Sequence, residues 1–192
     1  MSCAKTPGED EARMSGRIAL FLPSLNGGGA ERVMVTLANG FAARGYAVDL
    51  LLASAREPYL RDVSPSVRVV DLHAGRVFRA LGPLVRYLRS QKPPAMLAAM
   101  NHANIIAVMA KIISGAPTRL VISERTNISH AAARASNFYE RLVYGLVPWI
   151  YPGADGITAV SQDAALDLER FARLRPGRVR AIYNPFDLQR IN

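Results

Sequence analysis

Cys3 is the only cysteine in the chain, and it stands in a polar stretch far from any histidine. That excludes an internal disulfide, a cysteine-based metal site and a thiol nucleophile, and it fits a reducing compartment. Long apolar runs are missing as well. The best stretch, Leu142 to Ala154, is interrupted by Pro148 and Pro152, whereas a membrane span needs about 20 apolar residues. A secretory signal is not apparent either. Glu9, Asp10 and Glu11 crowd the start, and Pro23 cuts the apolar run Ile18 to Leu22. Residues 1–15 are expected to form a disordered tail, and the chain is expected in the cytoplasm.

Acid is scarce in the middle of the sequence. Between Asp71 and Glu124 there is none, while Arg76, Arg79, Arg86, Arg89, Lys92, Lys111 and Arg119 accumulate. A second basic cluster holds Arg170, Arg173, Arg175, Arg178 and Arg180, and the formal net charge is +9. Such a field draws anionic partners, such as nucleotide phosphates or acidic lipid. No DNA- or RNA-reading motif accompanies the charge, so nucleic acid is not an expected partner.

The 192 residues suit one domain with a real core. Short, almost wholly apolar runs alternate with helical patterns. Strands are predicted at 17–22, 47–53, 67–71, 95–100, 118–123, 155–160 and 179–183. Helices are predicted at 30–44, 76–90, 102–114, 131–147 and 161–173, with Gly82-Pro83 a break in the second. The helix at 102–114 is apolar nearly all round and should be deeply buried. This alternation predicts an α/β fold: a Rossmann-like three-layer sandwich with a mainly parallel seven-stranded sheet and right-handed crossovers. Ligands then bind beyond the carboxyl ends of the strands.

Asn26-Gly27-Gly28-Gly29 lies between the first strand and the first helix. Glycines there permit close approach of a ligand to the backbone, and a helix start favours phosphate. The plainer alternative is a tight turn. Two specific phosphate motifs fail. The dinucleotide fingerprint needs glycine where Arg32 stands and an acid at the end of the second strand, but Asp49 lies within it. No Gly-Lys-Ser/Thr follows for a P-loop. These failures argue against a nicotinamide-dependent enzyme.

The stretch Leu22-Pro-Ser-Leu-Asn-Gly-Gly-Gly-Ala-Glu-Arg-Val33 resembles the opening of the family 4 (group 1) glycosyltransferases of GT-B fold. Asn101-His-Ala-Asn104, Ile122-Ser-Glu-Arg-Thr-Asn127 and Asp155-Gly-Ile-Thr-Ala-Val-Ser161 agree in order and spacing. Ile182-Tyr-Asn-Pro-Phe-Asp187 resembles the family's hinge between two domains. On this resemblance residues 16–184 are the N-terminal, acceptor-side domain and 185–192 begin the hinge. The donor-binding domain, which carries two glutamates eight positions apart, is expected outside this chain, since no two glutamates here have that spacing.

The resemblance implies sugar transfer from a nucleotide-sugar donor to a glycan or lipid-linked acceptor, with retention and with neither metal nor other cofactor. A half-enzyme that only binds acceptor or a partner subunit is the alternative. Gly27, Gly28 and Gly29 would approach the donor diphosphate. Asn26, Asn101, Asn104 and Thr126 would contact the acceptor. Glu124, Arg125 and His102 are the catalytic candidates. Glu124 and Arg125 would orient a hydroxyl and pair with an anion, or else form a mutual ion pair or helix cap. His102 and the two asparagines have structural alternatives of their own at a helix start. His73 and His130 receive no role. A separate donor half and an anionic membrane surface are further expected partners. The basic amphipathic segment from Arg76 to Lys92 would lie on such a surface or else be merely solvated, while Tyr139, Tyr144, Trp149 and Tyr151 are expected to fill core.

Overall fold

The computed structural model describes residues 16–55 and 59–185. The tail expected at 1–15, and the hinge beyond 185, lie outside the described residues. Seven strands form one sheet: β1 (Arg17–Leu22), β2 (Ala47–Leu52), β3 (Val67–Asp71), β4 (Ala95–Ala99), β5 (Arg119–Glu124), β6 (Gly156–Ala159) and β7 (Val179–Ala181). Their order is β3-β2-β1-β4-β5-β6-β7, and every pairing is parallel. Six α-helices connect them: α1 (Gly29–Ala43), α2 (Leu81–Gln91), α3 (Asn101–Ser114), α4 (Ile128–Ala133), α5 (Phe138–Ile150) and α6 (Gln162–Phe171).

The central strands are apolar on both faces because both are covered. Leu20 and Leu22 pack under α1 with Met34, Val35 and Ala38. Ala19 and Phe21 point the other way, into a larger core with α2, α3, α5 and α6. Each large side chain so buried contributes about 1.5–3 kcal/mol. The chain runs outward from β1 through β2 to β3, then crosses back to β4 and runs the other way. Right-handed crossovers therefore put α1 on one face and the later helices on the other. The point of reversal lies between β1 and β4, where this type of sheet opens a crevice.

Asp49 is a charge inside β2. It is buried, yet it accepts hydrogen bonds from Arg17 (2.9 Å), Arg68 (2.5 Å) and the Tyr87 hydroxyl (2.6 Å). Burial pushes its carboxyl up, but the bonds from Arg68, Tyr87 and Arg17 outweigh that and hold it below the ordinary aspartate range.

Three local expectations are corrected. The helix expected at 131–147 is two helices, α4 and α5. Asn127 caps the first by accepting from the His130 amide, and Asn137 caps the second by accepting from the Glu140 amide. The helix expected from Arg76 begins only at Leu81: a 3-10 turn, Val77–Ala80, precedes it, so the segment does divide beside Gly82 and Pro83, which sit in the first turn of α2, where proline's missing N–H costs nothing. Ile112 and Ile113, in the last turn of α3, are exposed rather than buried. Among the described residues no helix is long and apolar enough to cross a membrane.

Candidate functional site

The carboxyl ends of β1 and β4 frame a cleft of about 400 Å³ lined by Pro23, Arg76, Val77, Phe78, Met100, His102 and Tyr139. Met100 joins β4 to α3 with φ 79°, a left-handed conformation that a long side chain adopts only under constraint. This kink delivers His102 to the cleft, where its ring stacks on Tyr139 with centroids 6.3 Å apart. Tyr139 in turn lies 6.2 Å from Phe78. Burial lowers the His102 pKa against a weaker opposing pull from Glu140. The imidazole is therefore neutral at neutral pH, with one nitrogen to donate and one to accept.

The glycine loop begins four residues past the end of β1 and stays exposed from Asn26 to Gly29. Gly27 has φ 109°, which only glycine adopts readily. The loop is not a row of three bare amides. Gly28 donates to the carboxylate of Glu31, the third residue of α1, in half of a capping box. The Gly27 carbonyl accepts from the Tyr59 hydroxyl at 3.3 Å. Gly29 keeps open surroundings: a Cβ placed there would meet nothing within 4 Å.

Glu124 and Asn104 are buried and do not line the cleft. Glu124 is 1% exposed and Asn104 fully buried. The Tyr151 hydroxyl donates to Glu124 Oε2 at 2.8 Å and accepts from Asn101 (3.4 Å) and Asn104 (3.3 Å). Glu124 Oε1 also accepts from the Arg125 amide and the Thr126 hydroxyl, both at 3.1 Å. Asn104 reaches the Ser123 carbonyl as well. Burial raises the Glu124 carboxyl above the ordinary glutamate range despite these donors, and burial raises the Tyr151 phenol too. The network ties the start of α3 to the end of β5 and the turn after α5. Asn101 and Asn104 each keep an unpaired side-chain oxygen within it. In this arrangement Glu124 and Asn104 offer no surface to an acceptor.

Nor do Glu124 and Arg125 form one site. Successive strand residues point to opposite faces. Arg125 follows Val121 and Ser123 to the α1 side, where its guanidinium donates to Asn184 at 2.8 Å. There it borders an apolar groove of about 500 Å³ with Leu37, Leu97, Ile182 and Tyr183. The two side chains make no ion pair. Thr126 is exposed beside Glu124, and Asn26 is exposed on the loop. Among the described residues no three His, Cys, Asp or Glu side chains gather as a metal site.

Tyr151, Met100, Phe78 and Arg76 were not among the sequence candidates. No local pattern marks Tyr151, because its partners lie 27 to 50 residues away. The basic segment is divided: Arg86 is exposed, but Arg89 donates to the Ile113 carbonyl at 2.9 Å and caps the end of α3. Trp149 and Tyr139 are exposed, contrary to the expectation that they fill core; Tyr151 alone of that set is fully buried.

The profile of Glycosyltransferase Family 4 matches residues 27–190. Two curated relatives come from Campylobacter jejuni subsp. jejuni serotype O:2. One is GalNAc-alpha-(1->4)-GalNAc-alpha-(1->3)-diNAcBac-PP-undecaprenol alpha-1,4-N-acetyl-D-galactosaminyltransferase, 27% identical over 88% of this chain and 46% of its own length. The other is N-acetylgalactosamine-N,N'-diacetylbacillosaminyl-diphospho-undecaprenol 4-alpha-N-acetylgalactosaminyltransferase, 29% identical over 91% of this chain and 49% of its own. The chain thus spans about half the length of these relatives. Among solved structures, sucrose-phosphate synthase from Thermosynechococcus elongatus superposes with TM-score 0.71 at 18% identity, over 91% of this chain and 49% of that one. Anabaena HepE in complex with UDP superposes with TM-score 0.61 at 18% identity, over 91% and 45%. The parallel seven-stranded sheet is the Rossmann-like half of a GT-B fold, and the chain belongs to Glycosyltransferase Family 4.

Proposed function

We propose that this chain is the acceptor-side half of a retaining, metal-independent glycosyltransferase that extends a glycan carried on a lipid diphosphate, using a nucleotide-sugar donor held by a second domain. The observation that carries the reading is the cleft at the point of sheet reversal, with His102, Arg76 and two aromatic rings on its wall. Aromatic faces suit sugar rings, a guanidinium suits a phosphate, and a neutral imidazole suits a hydroxyl. Both curated relatives are named for acceptors on undecaprenol diphosphate and for α-linked transfer, which supports acceptor class and retention.

In this reading His102, Asn26 and Thr126 face the acceptor. Gly29 and Gly27 present backbone to the donor diphosphate. Glu124, with Asn101 and Asn104, acts as a positioning group: its carboxylate holds Tyr151, and through it the start of α3 that carries His102. Arg125 has its place at the other face, toward the segment that follows β7.

The test is a calorimetric titration of this chain with a short-prenyl diphosphate-linked glycan, and separately with a uridine nucleotide sugar. The expected result is saturable binding of the acceptor, weakened at least tenfold by His102→Ala or Arg76→Ala, and no comparable heat from the nucleotide sugar. Acceptor binding indifferent to both substitutions, or none at all, sinks the reading. Acceptor binding without transfer, even when a donor-binding half is supplied, favours the non-catalytic binding module instead.

A further inference from the structure

Helix α5 carries an apolar stripe that nothing in the described structure covers. Phe138, Leu142 and Trp149 are 82%, 50% and 80% exposed. At 100° per residue they fall within about 40° of one another on the helix, with Gly145 among them, along a line of about 16 Å. The opposite face is the buried one, with Val143 and Val147 in the core. So α5 is anchored along one side and presents its second apolar side outward, where an ordinary surface helix shows polar groups.

The stripe leads to the cleft. Tyr139, next to Phe138, is itself part of the cleft wall and touches exposed Phe78. Arg79 stacks over Phe78 with its guanidinium 5.9 Å from the ring centroid. Arg76 on the cleft wall, Arg134 shortly before the helix and Arg141 in its first turn are exposed, and Arg141 also donates from Nε to the Ala135 carbonyl at 3.4 Å. The acid nearby, Glu140, is engaged within the helix start: its Oε2 accepts from the Ser136 amide at 2.8 Å, and its own amide donates to Asn137 Oδ1 at 2.9 Å. An apolar stripe with exposed arginines at its cleft end matches a membrane interface with anionic headgroups, where aromatics enter the headgroup layer and guanidinium groups pair with phosphate.

We infer that α5 is the membrane-docking element: Phe138, Leu142 and Trp149 enter the headgroup layer of an anionic bilayer, Arg76, Arg79, Arg134 and Arg141 pair with its phosphates, and the cleft mouth at Tyr139 is thereby held at the surface. The assignment rests on the proposed lipid-linked acceptor, whose glycan would reach His102 from the bilayer while its lipid stays in place. It adds the stripe of α5 to the basic segment from Arg76 to Lys92, of which Arg89 caps the end of α3.

Trp149 is the single tryptophan of the chain and so reports on the stripe directly. The full chain is mixed with phosphatidylcholine vesicles containing or lacking phosphatidylglycerol, and Trp149 emission and its quenching by brominated acyl chains are recorded. A blue shift and quenching are expected with the anionic vesicles alone. Phe138→Ser with Leu142→Ser should lower vesicle affinity at least tenfold while leaving thermal stability unchanged, because both side chains are exposed. Arg76→Glu with Arg79→Glu should abolish the dependence on anionic lipid. Absent quenching, equal binding to neutral vesicles, or a dimer in sedimentation that the double serine variant dissolves would each overturn the assignment. Binding of the short-prenyl soluble acceptor by the double serine variant separates this failure from that of the cleft: it persists if only the docking surface is misassigned, and is missing in every form if the cleft reading is wrong.

Discussion

Tyr151 donates its phenolic proton to Glu124 at 2.8 Å across 27 residues of sequence, and neither side chain is exposed. A carboxylate so placed depends on its donors, and a phenol with two asparagine amides on its oxygen is fully engaged. Tyr151→Phe removes one donor from Glu124 and one acceptor from Asn101 and Asn104 together. We expect a loss of about 2–3 kcal/mol in urea unfolding, the scale for orphaned buried polar groups. Glu124→Gln keeps the shape and removes the charge. Because burial raises the Glu124 pKa, the folded state holds a proton that the unfolded chain has lost. Wild-type stability relative to Glu124→Gln should therefore fall as pH rises above the ordinary glutamate range, then level off above the folded pKa. A difference independent of pH contradicts this account.

Asp49 gives the opposite slope. Its carboxyl is held low by Arg68, Tyr87 and Arg17 against the cost of burial. A depressed pKa contributes stability that is complete above the unfolded value and disappears as pH falls through the folded one. Asp49→Asn should cost about 2–4 kcal/mol at neutral pH, less than a fully buried pair because both arginines can return to water. The difference from wild type should shrink below the ordinary aspartate range. Denaturant titrations at several pH values measure it, and a cost undiminished by acid contradicts it.

Lys92 ends α2 with φ 42° and ψ 52°, a left-handed cap usually given to glycine. Its side chain is exposed, and among the described residues its ammonium makes no hydrogen bond or ion pair. Lys92→Gly should raise stability by about 0.5–1 kcal/mol through relief of that conformation. A thermal melt that is unchanged or lower shows that the turn was not strained.

The central strands were legible because both of their faces are buried, which writes runs such as Ala19 to Leu22 as unbroken apolar sequence. The glycine loop was legible because its backbone requirement is local, and Gly27 does adopt positive φ. The break between α4 and α5 was also written there: Asn137 followed by Glu140 has the spacing of a helix cap. Alanines before it and the apolar positions of Leu142 to Val147 after it let the two helices read as one. What the sequence did not carry was long-range pairing. Glu124 and Arg125 are neighbours in a motif but point to opposite faces of the sheet, since strand alternation separates what the motif joins. The aromatic residues of α5 read as core by composition, yet only the direction of the helix on the sheet decides that Val143 turns inward and Trp149 outward.

The glycine loop offers a way to separate architecture from ligand contact. Gly28 and Gly29 are adjacent, yet their surroundings differ. A Cβ on Gly28 would stand 2.6 Å from Glu31 Oε2 and displace the carboxylate that caps α1, whereas a Cβ on Gly29 would enter open space. Gly28→Ala should therefore cost about 1 kcal/mol, the scale of a lost cap. Gly29→Ala should leave the melting temperature equal or slightly higher, since alanine is the better helix former. Its methyl group nonetheless occupies the surface that the donor diphosphate would approach. In a two-domain enzyme carrying this half, Gly29→Ala should raise KM for the nucleotide sugar at least tenfold while KM for the acceptor stays put. A Gly29→Ala enzyme with ordinary donor kinetics would show that the loop meets no diphosphate, and the glycines would then serve only the turn from β1 into α1.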